Sequence, residues 1–174
     1  TFARRFNRMY DSELFPIPQG YSSGKEMIKI PGLDGSGKMG KSEGNAITLA
    51  ESPASIRKKV MRAVTDAGPI EMNQQKPEVI QNLFTIMEVV SSPDVVKQFD
   101  DAYNNCTIRY GEMKKQLADD IINFTSPIRE RIEDILQNNE YLAKVAKEGA
   151  EKARESAAKT LNEVRKLIGF KKFY

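Results

Sequence analysis

Apolar residues return every three or four positions through most of this 174-residue chain, and breaks in that rhythm mark its elements. Phe2, Phe6, Met9 and Tyr10 already follow helical spacing, with Arg4, Arg5 and Arg8 on the other side. This reads as the last turns of a helix whose start lies upstream of Thr1. Between Asp11 and Lys25, Pro16, Pro18, Gly20 and Gly24 predict loop with extended pieces. Met27-Ile28-Lys29-Ile30 is a short, largely apolar run stopped by Pro31, as expected of a buried strand.

Ser52-Pro53 is a helix start signal, serine as N-cap and proline as first helical residue, and Ile56, Val60, Ala63 and Val64 supply the apolar face. A polar connection with Gly68-Pro69 leads to a second helix marked by Val79, Ile80, Leu83, Phe84, Met87 and Val90. Ser92-Pro93 repeats the start signal for a third, with Val95, Val96, Phe99 and Tyr103. Met113, Leu117, Ile121, Phe124, Ile128, Ile132 and Ile135 keep helical phase across Pro127, which predicts one kinked helix rather than a restart at Ser126. Leu142, Val145, Ala146, Gly149, Ala153, Ala157, Leu161, Val164 and Ile168 form a last stripe up to Gly169, a C-terminal stop. Its small residues predict close approach to a neighbouring helix. The pattern is mainly α: five helical segments in a bundle, attached to the last strand of an α/β layer.

Where that strand should end lies Gly32-Leu33-Asp34-Gly35-Ser36-Gly37-Lys38-Met39-Gly40-Lys41-Ser42, with four glycines and two lysines in eleven residues. Glycines bring backbone N–H groups close to a ligand, and two ammonium groups beside them suit a polyphosphate. Gly35 to Ser42 is formally a P-loop, and Gly35-x-Gly37-x-x-Gly40 is formally a dinucleotide fingerprint. Both motifs require an amphipathic helix opening at their end to hold the phosphate. Glu43-Gly44-Asn45-Ala46-Ile47-Thr48-Leu49 has no helical stripe, which argues against both.

Composition narrows the chemistry further. The chain has no histidine, which removes His-based triads and His metal sites. The single cysteine, Cys106, leaves no internal disulfide, in keeping with a reducing cytosol. No apolar run approaches the roughly 18 residues that span a membrane, and no signal-peptide pattern opens the chain. The net charge of +3 is uneven: residues 1–42 carry seven basic and four acidic groups, residues 43–139 eleven and fifteen, and residues 140–174 nine and five. Basic ends on an acidic middle can meet polyanions at two places. Asp119-Asp120 and similar pairs fall in helical patterns as solvent-facing groups, with no metal site among them.

Lys38-Met39-Gly40-Lys41-Ser42 resembles the Lys-Met-Ser-Lys-Ser signature of class I aminoacyl-tRNA synthetases, and it lies between strand and helical domain as that motif should. Ala3-Arg4-Arg5-Phe6-Asn7, Phe15-Pro16-Ile17-Pro18, Ile47-Thr48-Leu49, Ser52-Pro53 with Ile56-Arg57-Lys58-Lys59, Ala63-Val64-Thr65-Asp66 and Pro127-Ile128-Arg129-Glu130-Arg131 resemble tryptophanyl-tRNA synthetases. So do Gly149-Ala150, Lys152-Ala153-Arg154 and Val164-Arg165 with Ile168-Gly169-Phe170. The likeness runs in order over nearly the whole chain. It departs from the usual pattern at Gly40, where serine is common; glycine there also occurs in tyrosyl-tRNA synthetases, and the downstream helices separate the two.

The resemblance implies that residues 1–50 are the C-terminal part of a Rossmann-like catalytic domain and residues 51–174 an anticodon-binding-type helical domain. It implies activation of tryptophan by Mg2+-bound ATP, then transfer to tRNA(Trp), in a cytoplasmic homodimer. Lys38 and Lys41 are the implied catalytic residues, stabilising charge on the departing pyrophosphate. Ser42 with the backbone at Met39 and Gly40 would complete a phosphate cradle, and Ile30 would offer backbone contacts to adenine. The family's His-bearing signature and amino-acid pocket fall outside these residues, so the chain alone is expected not to activate tryptophan. Arg57, Lys58, Lys59 and Arg62, and the basic residues from Lys144 to Lys172, are candidate tRNA contacts. Arg129 and Arg131 are expected in a network with Glu130 and Glu133. Two other classes stay open, a stand-alone helical RNA-binding module and a P-loop nucleotidase.

Overall fold

A computed structural model of the chain describes residues 2–21, 29–35 and 37–170. Among them are six α-helices and no strand: α1 (Phe2–Met9), α2 (Pro53–Met61), α3 (Glu78–Val90), α4 (Pro93–Asn104), α5 (Tyr110–Gln137) and α6 (Asn139–Leu167). The expected strand cannot be followed through Met27 and Ile28, which lie outside the described residues; Lys29 and Ile30 take no strand conformation. The chain divides into two compact units, Ile28–Asp134, and Thr1–Met27 with Ile135–Tyr174.

In the first unit the start signals act as the sequence indicates. Ser52 Oγ accepts the Ser55 N–H with Pro53 as first helical residue, and Ser92 Oγ accepts the Val95 N–H ahead of α4. Each bond satisfies one of the amide donors that a helix start leaves without a partner. The apolar faces then meet: Ile56 and Val60 of α2, Ile80, Leu83, Phe84 and Met87 of α3, Tyr103 of α4, and Met113, Leu117 and Ile121 of α5 are buried in one cluster. Val64, expected on the same face, is 46% exposed because α2 has already ended at Met61.

Helix α5 runs unbroken through Pro127, as one helix. Burial stops a little past its midpoint: Thr125 is its last buried residue, and Phe124 is 48% exposed. Arg129 makes no direct pair with Glu130 or Glu133, but it reaches Glu130 through Ser126, whose Oγ donates to the Glu130 carboxylate at 3.1 Å. Its guanidinium donates to Ser126 Oγ at 2.9 Å and to the Glu51 carbonyl at 3.5 Å. The two terminal nitrogens of its planar guanidinium thus tie helix to loop.

Polar groups from distant parts of the sequence fasten this unit. The buried Lys114 Nζ donates to the Ala63 carbonyl at 2.7 Å and to Thr65 Oγ1 at 3.3 Å, closing the end of α2. Loss of water around that ammonium pulls its pKa below the ordinary lysine value. Tyr110 donates its hydroxyl proton to Asp66 at 2.6 Å, and burial, then the Asp66 carboxylate, push the phenol pKa up. Lys76 pairs with Asp100 at 2.6 Å and stands 4.8 Å above both the Phe84 and Tyr103 rings, a doubled cation–π contact.

The second unit has an aromatic centre. Phe6 of α1 meets Phe15 edge-on at 4.9 Å and Tyr10 at 4.7 Å. Asn7 brackets the Phe15 backbone, its Nδ2 donating to the Phe15 carbonyl at 2.8 Å and its Oδ1 accepting the Phe15 N–H at 3.1 Å. Helix α6 is capped by Asn138 Oδ1 on the Tyr141 N–H and ends at Gly169, whose φ of 75° suits glycine. The expected close packing of α6 is not found. None of its residues is buried, and a Cβ placed on Gly149 would meet nothing within 4 Å. Periodicity shows that a face is apolar, not that a partner surface covers it.

Candidate functional site

The glycine loop belongs to the first unit, and its two feet are fixed to the helical core. At the leading foot, Leu33 is buried in the core cluster and its carbonyl accepts the Val64 N–H at 3.1 Å, just beyond α2. Gly35 follows with φ of 83°, and a Cβ there would come within 2.9 Å of Val79 Cγ1. Both the left-handed backbone and the close approach to α3 require glycine. At the trailing foot, Lys59 of α2 donates to the Ala46 carbonyl at 2.8 Å and pairs with Glu51 at 2.7 Å. A cleft of about 280 Å3 opens between the feet, lined by Leu33, Asp34, Asn45, Lys59, Arg62 and Ala63.

Glu51 gathers three donors, the Lys59 ammonium, the Ser55 hydroxyl and the Thr48 N–H. Burial alone would raise its pKa, but those donors outweigh it and hold the carboxyl below its ordinary value of 4.5. A carboxylate depressed in the folded state stabilises the fold above its unfolded-state value, and this contribution disappears as pH falls through the folded-state value. Urea midpoints measured against pH should therefore fall more steeply below pH 4.5 in the native sequence than in Glu51→Gln. Parallel acid limbs for the two proteins would show that Glu51 does not brace the loop's trailing foot.

Inside these feet the predicted site residues divide. Lys38, Lys41 and Ser42 are exposed. Met39 packs partly against the core, and its N–H donates to the Ile30 carbonyl at 3.0 Å. The Gly40 N–H donates to Asn45 Oδ1 at 2.8 Å. Both amides expected in a phosphate cradle are thus engaged within the loop, and the loop presents side-chain cations instead. Gly40 has φ of −137° and ψ of 134°, extended backbone open to any residue. A Cβ there would stand 3.2 Å from the Glu43 carboxyl carbon, the far end of a flexible side chain, so serine fits with a small shift.

Behind Gly40 the chain makes one 3-10 turn, Lys41–Glu43, stopped by Gly44 at φ of 70°. The next helix begins only at Pro53. Neither the P-loop nor the dinucleotide fingerprint has the α-helix it needs for phosphate. Of the basic residues on α2, Arg57 pairs with Asp119 at 2.7 Å and Lys59 holds Glu51, which leaves Lys58 exposed on α2 and Arg62 exposed just beyond it. Asn45 and Asp34 are the participants that periodicity and charge did not single out. The only local signal for Asn45 is its place after a glycine in a turn, a common asparagine position.

A lysine-bearing loop set ahead of a helical bundle, with no phosphate-binding helix behind it, is the arrangement that the resemblance to class I synthetases implies. The family model for class I tRNA synthetases (W and Y) matches residues 1–126, and the chain belongs to this family. It is 60% identical over 170 residues to the tryptophan–tRNA ligase of Porphyromonas gingivalis, covering 98% of this chain and 52% of that protein. The tryptophan–tRNA ligase of Clostridium perfringens is 39% identical, with 95% of this chain and 49% of that protein covered. The tryptophanyl-tRNA synthetase of Campylobacter jejuni, solved with ADP and tryptophan, superposes with a TM-score of 0.72 at 25% identity, over 96% of this chain and 51% of that one. The chain spans about half the length of the curated relatives it matches. No helix among the described residues is long and apolar enough to cross a membrane.

Proposed function

We propose that these residues work as the C-terminal portion of a tryptophan–tRNA ligase. In that reaction the tryptophan carboxylate attacks the α-phosphorus of ATP, the bond to the β-phosphate oxygen breaks, and pyrophosphate leaves with added negative charge. Lys38 and Lys41 meet that charge. Cations that bind the leaving group more strongly as its charge grows lower the barrier rather than only the substrate's free energy. The observation that supports this reading best is the pairing of a braced loop with two exposed lysines, three residues apart.

Ser42 adds a hydroxyl to the same phosphates. Met39 and Gly40 set the spacing of the lysines, and their N–H groups reach phosphate only by giving up the bonds to Ile30 and Asn45. The Ile30 carbonyl, which already accepts one N–H, keeps a second lone pair for an adenine amino group. The implied Mg2+ finds no cluster of three acidic or thiol side chains among the described residues, and no step here runs through it. Residues 1–50 complete the nucleotide-binding domain and residues 51–174 form the tRNA-binding domain. Lys58, Arg62 and the basic residues of α6 are the candidate phosphate contacts on tRNA(Trp). The whole protein acts as a cytoplasmic homodimer.

ATP–pyrophosphate exchange by the full-length chain tests this reading directly. Exchange is expected with tryptophan and not with tyrosine. Exchange driven by tyrosine would place the chain on the other branch of its family, and none with either amino acid would refute the proposal.

A further inference from the structure

Asn45 lies seven residues beyond Lys38, is 6% exposed, and has its carboxamide turned under the lysine loop. Its Oδ1 accepts the Gly40 N–H at 2.8 Å, and its Nδ2 donates to the Lys38 carbonyl at 3.2 Å and to Asp34 Oδ1 at 3.0 Å. The two backbone groups it holds belong to the consecutive peptide planes on either side of Met39. The first of those planes is also held from its other edge, where the Met39 N–H meets the Ile30 carbonyl. A peptide plane bonded at both edges cannot rotate without losing both bonds, so the directions in which Lys38 and Lys41 leave the backbone are set together.

We propose that Asn45 is a positioning residue for the two lysines, acting through the loop backbone and touching no substrate. The proposal rests on the reading of Lys38 and Lys41 as a pyrophosphate clamp. It requires a carboxamide at this position, where a carboxylate would not be enough. Aspartate has the same shape and can still accept the Gly40 N–H, but it has no proton for the Lys38 carbonyl. It would also set a second carboxylate against Asp34, where the native pair has a donor and an acceptor 3.0 Å apart.

The test compares Asn45→Asp, the double variant Asp34→Asn/Asn45→Asp, and Lys41→Ala in the full-length chain, by tryptophan-dependent ATP–pyrophosphate exchange. Asn45→Asp should lower kcat by about 100-fold, the scale of an ångström-sized misplacement, with KM for tryptophan unchanged. The double variant should recover part of that loss, because the exchange restores a carboxamide donor facing a carboxylate acceptor, with the two groups trading places. Tryptic cleavage after Lys38 and Lys41 should quicken in Asn45→Asp while cleavage after Lys58 does not. A native kcat in Asn45→Asp, no recovery in the double variant, or equal quickening at all three sites would overturn the inference. Lys41→Ala separates the two levels. If it is slow while Asn45→Asp is normal, only the positioning role fails; if it exchanges at the native rate, the clamp reading itself fails.

Discussion

Lys41→Ala in the full-length chain is expected to lower the rate of ATP–pyrophosphate exchange by about 100- to 1,000-fold, the scale seen when one preorganised charge-stabilising donor is lost. The loss is expected in kcat, with KM for tryptophan little changed, because the ammonium matters where charge accumulates and not where the amino acid binds. Lys41 is exposed and lies in the 3-10 turn that Gly44 ends, so its removal leaves the core intact. Circular dichroism and the urea midpoint should therefore match the native protein. A loss carried wholly by KM for ATP would instead show that Lys41 binds ground state and transition state alike.

Leu117→Ala carries the largest expected effect on stability. Leu117 is fully buried on α5, in the cluster that joins α2, α3 and α4. Removing its isobutyl group loses the transfer energy and leaves a cavity, together about 2–5 kcal/mol. That is a large share of the roughly 5–15 kcal/mol that holds a domain folded. A urea titration followed by circular dichroism should show a lower midpoint at unchanged slope. Lys115→Ala, two residues away on the exposed side of the helix, should stay within about 0.5 kcal/mol of the native protein. Equal destabilisation by both would contradict the assignment of the buried face.

The stability of the loop and its chemistry are linked through α2. One turn of that helix carries Val60 into the core and Lys59 to the loop's trailing foot. The residues just beyond it return Val64 to Leu33 at the leading foot. A substitution that loosens α2 from α5 should therefore also widen the positions open to Lys38 and Lys41. Arg57, paired with Asp119 of α5, is part of that attachment.

Much of this was legible along the chain because its causes are local. Ser52 and Ser92 cap helices by bonding amides three residues ahead, and any serine followed by proline and an apolar face announces that geometry. The apolar spacing from Met113 to Ile121 needs only the 3.6-residue turn to define a face, and the same phase carried α5 through Pro127. The lysine loop, the lack of a phosphate-binding helix behind it and the family resemblance are likewise properties of sequence order. What the chain did not reveal depends on partners far apart in sequence. Lys114 finds the Ala63 carbonyl 51 positions away, and Arg129 finds Glu51 at 78. The amides of Met39 and Gly40 were open to a phosphate until the fold supplied Ile30 and Asn45 as acceptors. The apolar stripe of α6 looked like packing, yet none of its residues is buried, and of the stripe only Leu142 and Val164 are even half-buried. Residue order was enough for the helices, the serine caps of α2 and α4 and the family, since those follow from neighbours along the backbone. Which faces are buried and which loop donors are engaged waited on the folded chain, because a hydrogen-bond partner or a covering surface exists only once distant segments meet.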